Sequence, residues 1–171
     1  MARITLFILC LLLTGRVFGQ KEPIPSDQFS ITGPLEKPVV VTLADLKKYP
    51  DQEIGTVKIT NHRGEYKKTY EGLRGIPIRT FLDLAPISTE KPRDLSTYYF
   101  VFRATDGYCN VYSWNELYNT DIGNHVFLLT TDGTHELAAM PERILVLCTA
   151  DIQNGRRLLK GLTSIEIKKA E

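Results

Sequence analysis

Residues 98–117 read Tyr98-Tyr99-Phe100-Val101-Phe102-Arg103-Ala104-Thr105-Asp106-Gly107-Tyr108-Cys109-Asn110-Val111-Tyr112-Ser113-Trp114-Asn115-Glu116-Leu117. The first seven are aromatic and β-branched with little polar interruption, which is strand chemistry. Asp106-Gly107 is a turn pair, and Tyr108 to Tyr112 continues as a second strand. Ser113 then caps a short helical turn. Tyr98, Phe100 and Phe102 share one face of the first strand while Val101 fills the other, so that strand is expected to be covered on both sides.

The same grammar extends in both directions. Downstream, Val126 to Thr130 reads as a strand, Asp132-Gly133 as a tight turn, and Arg143 to Cys148 as a buried strand. Ile144, Val146 and Cys148 are expected to form a core strand neighbouring the first. Asn154-Gly155 is a turn, and Leu162 to Ile167 alternates as a final strand. Upstream, residues 87–97 are a polar loop, and Ile78 to Ala85 has helical spacing ended by Pro86. Gly72 and Gly75-Ile76-Pro77 read as a turn. Strands over Ile54 to Thr60 and Glu65 to Tyr70 flank a hairpin turn, Asn61-His62-Arg63-Gly64. Thr42 caps a short helix that Pro50 stops, and Phe29, Ile31 and Val39 to Val41 are short extended pieces. Many short strands with two or three short helices predict an α+β, mainly β fold.

The N-terminus predicts export. Arg3 precedes an apolar run from Ile4 to Leu13, and Val17 and Gly19 form a cleavage context before Gln20, so residues 1–19 read as a signal peptide. The run is shorter than the ~20 residues a membrane-spanning helix needs. The localisation implied is secreted or periplasmic, with no membrane association after cleavage. Residues 20–28, with Pro23 and Pro25, read as a flexible lead-in to a domain over 29–171. The whole chain carries a formal charge of +1. Arg3 and Arg16 leave with the signal, so the mature chain is near neutral and offers no electrostatic case for nucleic acid. Cys10 leaves too. Cys109 and Cys148 remain, as a disulfide in an oxidising compartment or as two buried thiols.

The motifs in order are Phe29-x-Ile31-x-Gly33, Val41-Thr42-Leu43-x-Asp45-Leu46, Thr69-Tyr70-x-Gly72, Ile76-Pro77-Ile78-x-x-x-Leu82, Asp106-Gly107-Tyr108, Glu116-Leu117, Pro141-x-Arg143 and Lys160-x-Leu162-x-x-Ile165. Their order and spacing, from Phe29 to Ile167, resemble the molybdopterin-binding oxidoreductase domain of sulfite oxidase, and above all its small exported single-domain members. The resemblance implies a sulfite oxidase-like molybdopterin-domain fold and an oxidoreductase lineage. It places cofactor contacts at Arg143, Arg156, Lys160, Asp106 and Tyr108, because a pterin phosphate is held by basic side chains and backbone donors.

The resemblance also implies a cysteine ligand to molybdenum upstream of the turn matching Tyr70-Glu71-Gly72. The equivalent stretch, Val57 to Gly64, has no cysteine. A soft thiolate is the donor such a metal needs. His62 and a displaced Cys109 are the weak substitutes, and no metal ligand is assigned. No Gly-x-Ser-x-Gly elbow or glycine-rich phosphate loop occurs, and His62, His125 and His135 are scattered. Three readings follow: a domain of this fold without the thiolate ligand and without catalysis; an active periplasmic molybdopterin oxidoreductase; or a module binding a small anionic ligand, a pterin or a periplasmic protein partner. The cofactor is accordingly molybdopterin or none.

N-terminal sequencing of mature protein from the native export route is expected to begin at Gln20 or within a few residues of it; an intact Met1 in the cell envelope would reject the signal.

Overall fold

The computed structural model describes residues 23–171, so residues 1–19, read above as a signal peptide, lie outside the described residues. The strands are β1 Gln28–Thr32, β2 Val39–Thr42, β3 Gln52–Thr60, β4 Tyr66–Pro77, β5 Tyr98–Ala104, β6 Cys109–Ser113, β7 Val126–Thr131, β8 Val146–Cys148 and β9 Leu162–Lys169. They form one sheet ordered β2-β1-β9-β5-β6 and a second ordered β3-β4-β7-β8. β1 runs parallel to β9, and the other pairings are antiparallel. The short helices are α1 Leu43–Leu46, α2 Arg79–Leu82 and α3 Trp114–Tyr118. The fold is α+β and mainly strand. Among the described residues, no helix is long and apolar enough to cross a membrane.

Two helices begin where the sequence says they must. Thr42 accepts from the Asp45 amide at 3.2 Å, while the Asp45 carboxylate accepts from the Thr42 amide at 3.0 Å. Ser113 and Glu116 repeat the arrangement at 3.1 and 2.8 Å. Each box satisfies amides that the first helical turn would leave without partners.

The residue-98 hairpin forms as read, with Phe100 opposite Tyr112 and Val101 opposite Val111. Tyr98, Phe100, Phe102 and Ala104 point into the core. The outer face is covered only at Val101; Tyr99 is half-buried and Arg103 exposed. Ile144, Val146 and Cys148 are wholly buried, but β8 belongs to the second sheet, and the neighbours of β5 are β9 and β6. The strand expected over Arg143 to Cys148 shortens to Val146–Cys148.

The expected turn at Gly72 to Pro77 is not a turn. β4 continues through it, with register shifts in its pairing to β3 and to β7. Gly75 is required by a close approach, since a Cβ there would stand 2.8 Å from the Leu128 carbonyl oxygen and 3.2 Å from the Phe127 Cβ. The polar loop over 87–97 contains a 3-10 turn, Pro92–Thr97. The lead-in is fastened from Ile24 onward. The Ile24 amide donates to Thr105 Oγ1 at 2.9 Å, and the Ser26 amide donates to the Arg143 carbonyl at 2.6 Å.

Buried residues of both sheets form one cluster, including Ile31, Leu73, Phe102, Leu128, Val146 and Ile165. Val146→Asp would bury an unpaired charge there. The expected cost is about 3–5 kcal/mol, read from chemical denaturation, and a variant with unchanged stability would contradict the packing.

Candidate functional site

Three loops meet at one place on the surface. The first is the β3–β4 turn, organised by Asn61. Its Oδ1 accepts from the amides of Arg63 at 2.9 Å and Glu65 at 3.0 Å, and its Nδ2 donates to the Glu65 carboxylate at 2.7 Å. The second is the β5–β6 turn, where Asp106 Oδ1 accepts from the Tyr108 amide at 2.8 Å. The third is the segment after β8, over 149–157.

The third loop ties the other two together. The Asn154 side-chain amide behaves like a neighbouring strand: it accepts from the Thr60 amide at 3.1 Å and donates to the Lys58 carbonyl at 2.9 Å, on the free edge of β3. Gly155 then lies so close that a Cβ would be 2.2 Å from the Thr60 carbonyl oxygen. Arg156 donates through Nε to Gln153 at 3.0 Å and through Nη2 to the His62 carbonyl at 3.4 Å. Its own carbonyl accepts from the Tyr108 hydroxyl. An open groove of about 610 Å³ is lined here by Ala150, Asp151, Ile152, Gln153, Arg156 and Arg157.

A charged network carries this loop. Arg157 donates through Nε to Asp151 at 2.7 Å, bonds it a second time through Nη2, and donates through Nη1 to Glu116 at 3.1 Å. Its guanidinium stacks 4.3 Å from the centre of the Tyr112 ring. The Asp151 hydrogen bonds, outweighing the cost of burial, raise the Arg157 pKa and keep it charged. Tyr112 is fully buried, and its hydroxyl has no partner among the described residues; burial pushes its pKa well up. Cys148 is wholly buried too, and burial, with Asp151 beside it, pushes its thiol up to about 11.

The five residues assigned to a pterin divide. Tyr108 and Arg156 come together at the groove, and Asp106 shapes the turn beside them. Arg143 is engaged by Asp27, at 2.9 and 2.6 Å, and Lys160 by Glu142, at 2.5 Å. Lys68 shares that carboxylate at 3.8 Å. Arg156 makes no ion pair among the described residues. His62 is exposed on the hairpin tip. His125 and His135 each face an aspartate, Asp121 at 3.2 Å and Asp132 at 3.1 Å.

The cysteines do not meet, which removes the disulfide alternative. Cys109 is exposed on β6, where Arg103 donates to its sulfur at 3.2 Å, while Cys148 lies in the core at β8. Among the described residues, no three histidine, cysteine or acidic side chains are grouped so as to hold a metal ion. Sequence reading missed the roles of Asn154, Asp151 and Ile152. Asn154-Gly155 carried a turn signal, but a side-chain amide reaching a strand more than ninety positions away leaves no local trace.

No protein-family model matches the chain, and no curated protein matches it in sequence. Solved structures do match. One is the sulfane dehydrogenase SoxCD of Paracoccus pantotrophus, with a TM-score of 0.57 at 16% identity over 84% of this chain. The chain spans 38% of that neighbour's length. The likeness is one of fold.

In the folded protein, Cys109 is expected to react with a thiol reagent near pH 8 and Cys148 to react only after unfolding. Because burial keeps Cys148 neutral, its contribution to stability is full below about 9 and is lost as pH rises toward about 11. Equal labelling of both thiols in the native state would contradict the burial.

Proposed function

We propose that this chain is an exported binding module on a molybdopterin-oxidoreductase-like fold, taking an anionic ligand at the three-loop groove and holding no molybdenum through a protein thiolate. The observation that carries it is the β3–β4 turn, where the resemblance puts the metal-binding cysteine. That turn is closed on itself by Asn61 and Glu65. It offers amide oxygens and the His62 imidazole where a soft sulfur donor is needed.

The other donors do not fit the group either. Cys148 is a neutral thiol inside the core. Cys109 is bonded by Arg103 on the exposed face of the β5–β6 ladder. Two of the cations that a pterin phosphate would use, Arg143 and Lys160, are already neutralised by Asp27 and Glu142. Arg156 keeps its charge available beside the groove, and a charge-assisted hydrogen bond to an anion contributes about 1.5–3 kcal/mol. This favours a simple anion over a large cofactor.

The competing reading is an active molybdenum oxidoreductase with Cys109 as a displaced ligand. It is favoured by the fold and by the place of Cys109 beside the Asp106-Gly107 turn. Expression with the signal in a host competent for molybdenum cofactor, followed by metal analysis by mass spectrometry, separates the two. The expected molybdenum content is far below one per chain. Near-stoichiometric metal overturns the proposal; its loss on Cys109→Ala would make that thiolate the ligand, and its persistence would mean binding without one.

A further inference from the structure

The sequence holds one asparagine followed directly by glycine, Asn154-Gly155. In a flexible chain this is the most labile setting an asparagine has. Glycine has no Cβ, so its amide nitrogen readily approaches the carbonyl carbon of the asparagine side chain. The fold nevertheless demands both residues. Position 154 must accept from the Thr60 amide at 3.1 Å and donate to the Lys58 carbonyl at 2.9 Å, and a carboxylate has no hydrogen for the second bond. Position 155 has no room for a side chain, since a Cβ would stand 2.2 Å from the Thr60 carbonyl oxygen and 3.3 Å from Ile59 Cγ2.

We infer that Asn154-Gly155 is a self-modification site, shielded while its loop is docked on β3, and that its deamidation is a one-way switch that detaches the loop and dismantles the groove. In the reaction the Gly155 amide nitrogen bonds to Asn154 Cγ, the Cγ–Nδ2 bond breaks, and ammonia leaves with the proton that the glycine amide gives up. Water then opens the cyclic imide at either carbonyl. One opening leaves aspartate; the other leaves isoaspartate, with the main chain running through the former side chain. Water is the sole co-reactant, and nothing is oxidised or reduced. The docked loop bars this step. Asn154 is 6% exposed, its leaving nitrogen is bonded to Lys58, and its carbonyl oxygen is bonded to Thr60. Ring closure destroys the first bond and turns the second, so the loop must open first. Opening also costs the bonds from Tyr108 to the Arg156 carbonyl, from Asn110 to the Arg157 carbonyl and from Arg156 to the His62 carbonyl.

Neither product fits the place it left. Aspartate sets a carboxylate oxygen against the Lys58 carbonyl, which puts two acceptors together where water is largely shut out. Isoaspartate adds a methylene to the main chain next to a residue that lacks space even for a Cβ, and it has no side-chain amide to reach β3. Either way the edge of β3 loses its cover, and Arg156 loses the frame that holds it beside the groove.

The test holds the purified chain in mildly alkaline buffer with and without urea and follows position 154 by peptide mapping, reading the mass gained when the amide becomes a carboxylate. The pair is expected to convert in urea and to convert at least about tenfold more slowly in the folded chain. Converted chain, refolded, is expected to show shifted NMR amides at Thr60, Tyr108 and Arg156, with hydrogen exchange at Thr60 faster by about tenfold or more. The amides of Phe102 and Leu128, in the core strands, are expected to stay as they were. Asp106-Gly107 and Asp132-Gly133 rearrange through the same imide without gaining mass. Asn154→Asp, made directly and never exposed to urea, separates their effect and is expected to move Thr60 exchange in the same direction. Equal conversion with and without urea, or none in urea, overturns the shielded site. Unchanged Thr60 exchange in both the converted chain and Asn154→Asp, or a converted chain that no longer folds at all, overturns a switch confined to this loop.

Discussion

Arg157 is the joint on which the rest of this end of the molecule hangs. It sits in the loop after β8, which belongs to the second sheet. Its guanidinium lies on the Tyr112 ring of β6, in the first sheet. One side of it is held by Asp151 of its own loop. The other is held by Glu116, whose second oxygen accepts from the Ser113 amide and so closes the cap of α3. Its backbone carbonyl accepts from Asn110 at 2.8 Å. One cation thus couples a helix start, an edge strand and a loop. Neutralising either acid would leave this charge half-desolvated, which is costly, and would loosen three elements together.

That coupling explains which parts of the chain were legible in its sequence. Capping boxes, the Asp106-Gly107 hairpin and the Asn61 turn are fixed by residues within four positions of one another, so the residues announce them. Gly75 was not legible. A glycine permits a turn, and it also permits two strands to approach; only the position of Phe127 and Leu128 across the sheet decides between the two. The length of β8 was hidden for a similar reason. Apolar character over residues 144–148 reports burial, whereas pairing with β7 covers only Val146, Leu147 and Cys148.

The candidate site was legible as chemistry but not as geometry. The basic residues late in the chain read as one set in the sequence, and the structure gives them different work. Arg143 reaches back 116 positions to Asp27, and Lys160 reaches Glu142. A sequence shows that cations are available without showing which of them are already spent on carboxylates. Arg156 and Arg63 stand out only once those pairings are known. Exposure matters in the same way: nothing in the run Asp151-Ile152-Gln153 distinguishes an exposed isoleucine from a buried one until the loop has been laid across the edge of β3.

The β3–β4 turn is closed by its own side chains. Thr60 is tied to Asn154, and Asn61 uses its amide and carbonyl to hold Arg63 and Glu65. A cysteine at position 61 would remove the side-chain hydrogen bonds that close the turn before it contributed a ligand, because a thiol is a weak donor and acceptor with none of the geometry of an amide. A turn built to carry a metal thiolate must keep the sulfur free and leave its own closure to backbone and neighbours. Here closure depends on the side chain itself. The tip is part of the scaffold that holds Arg156 beside the groove, and Asn61, in the stretch where the resemblance implies a ligand, closes the turn.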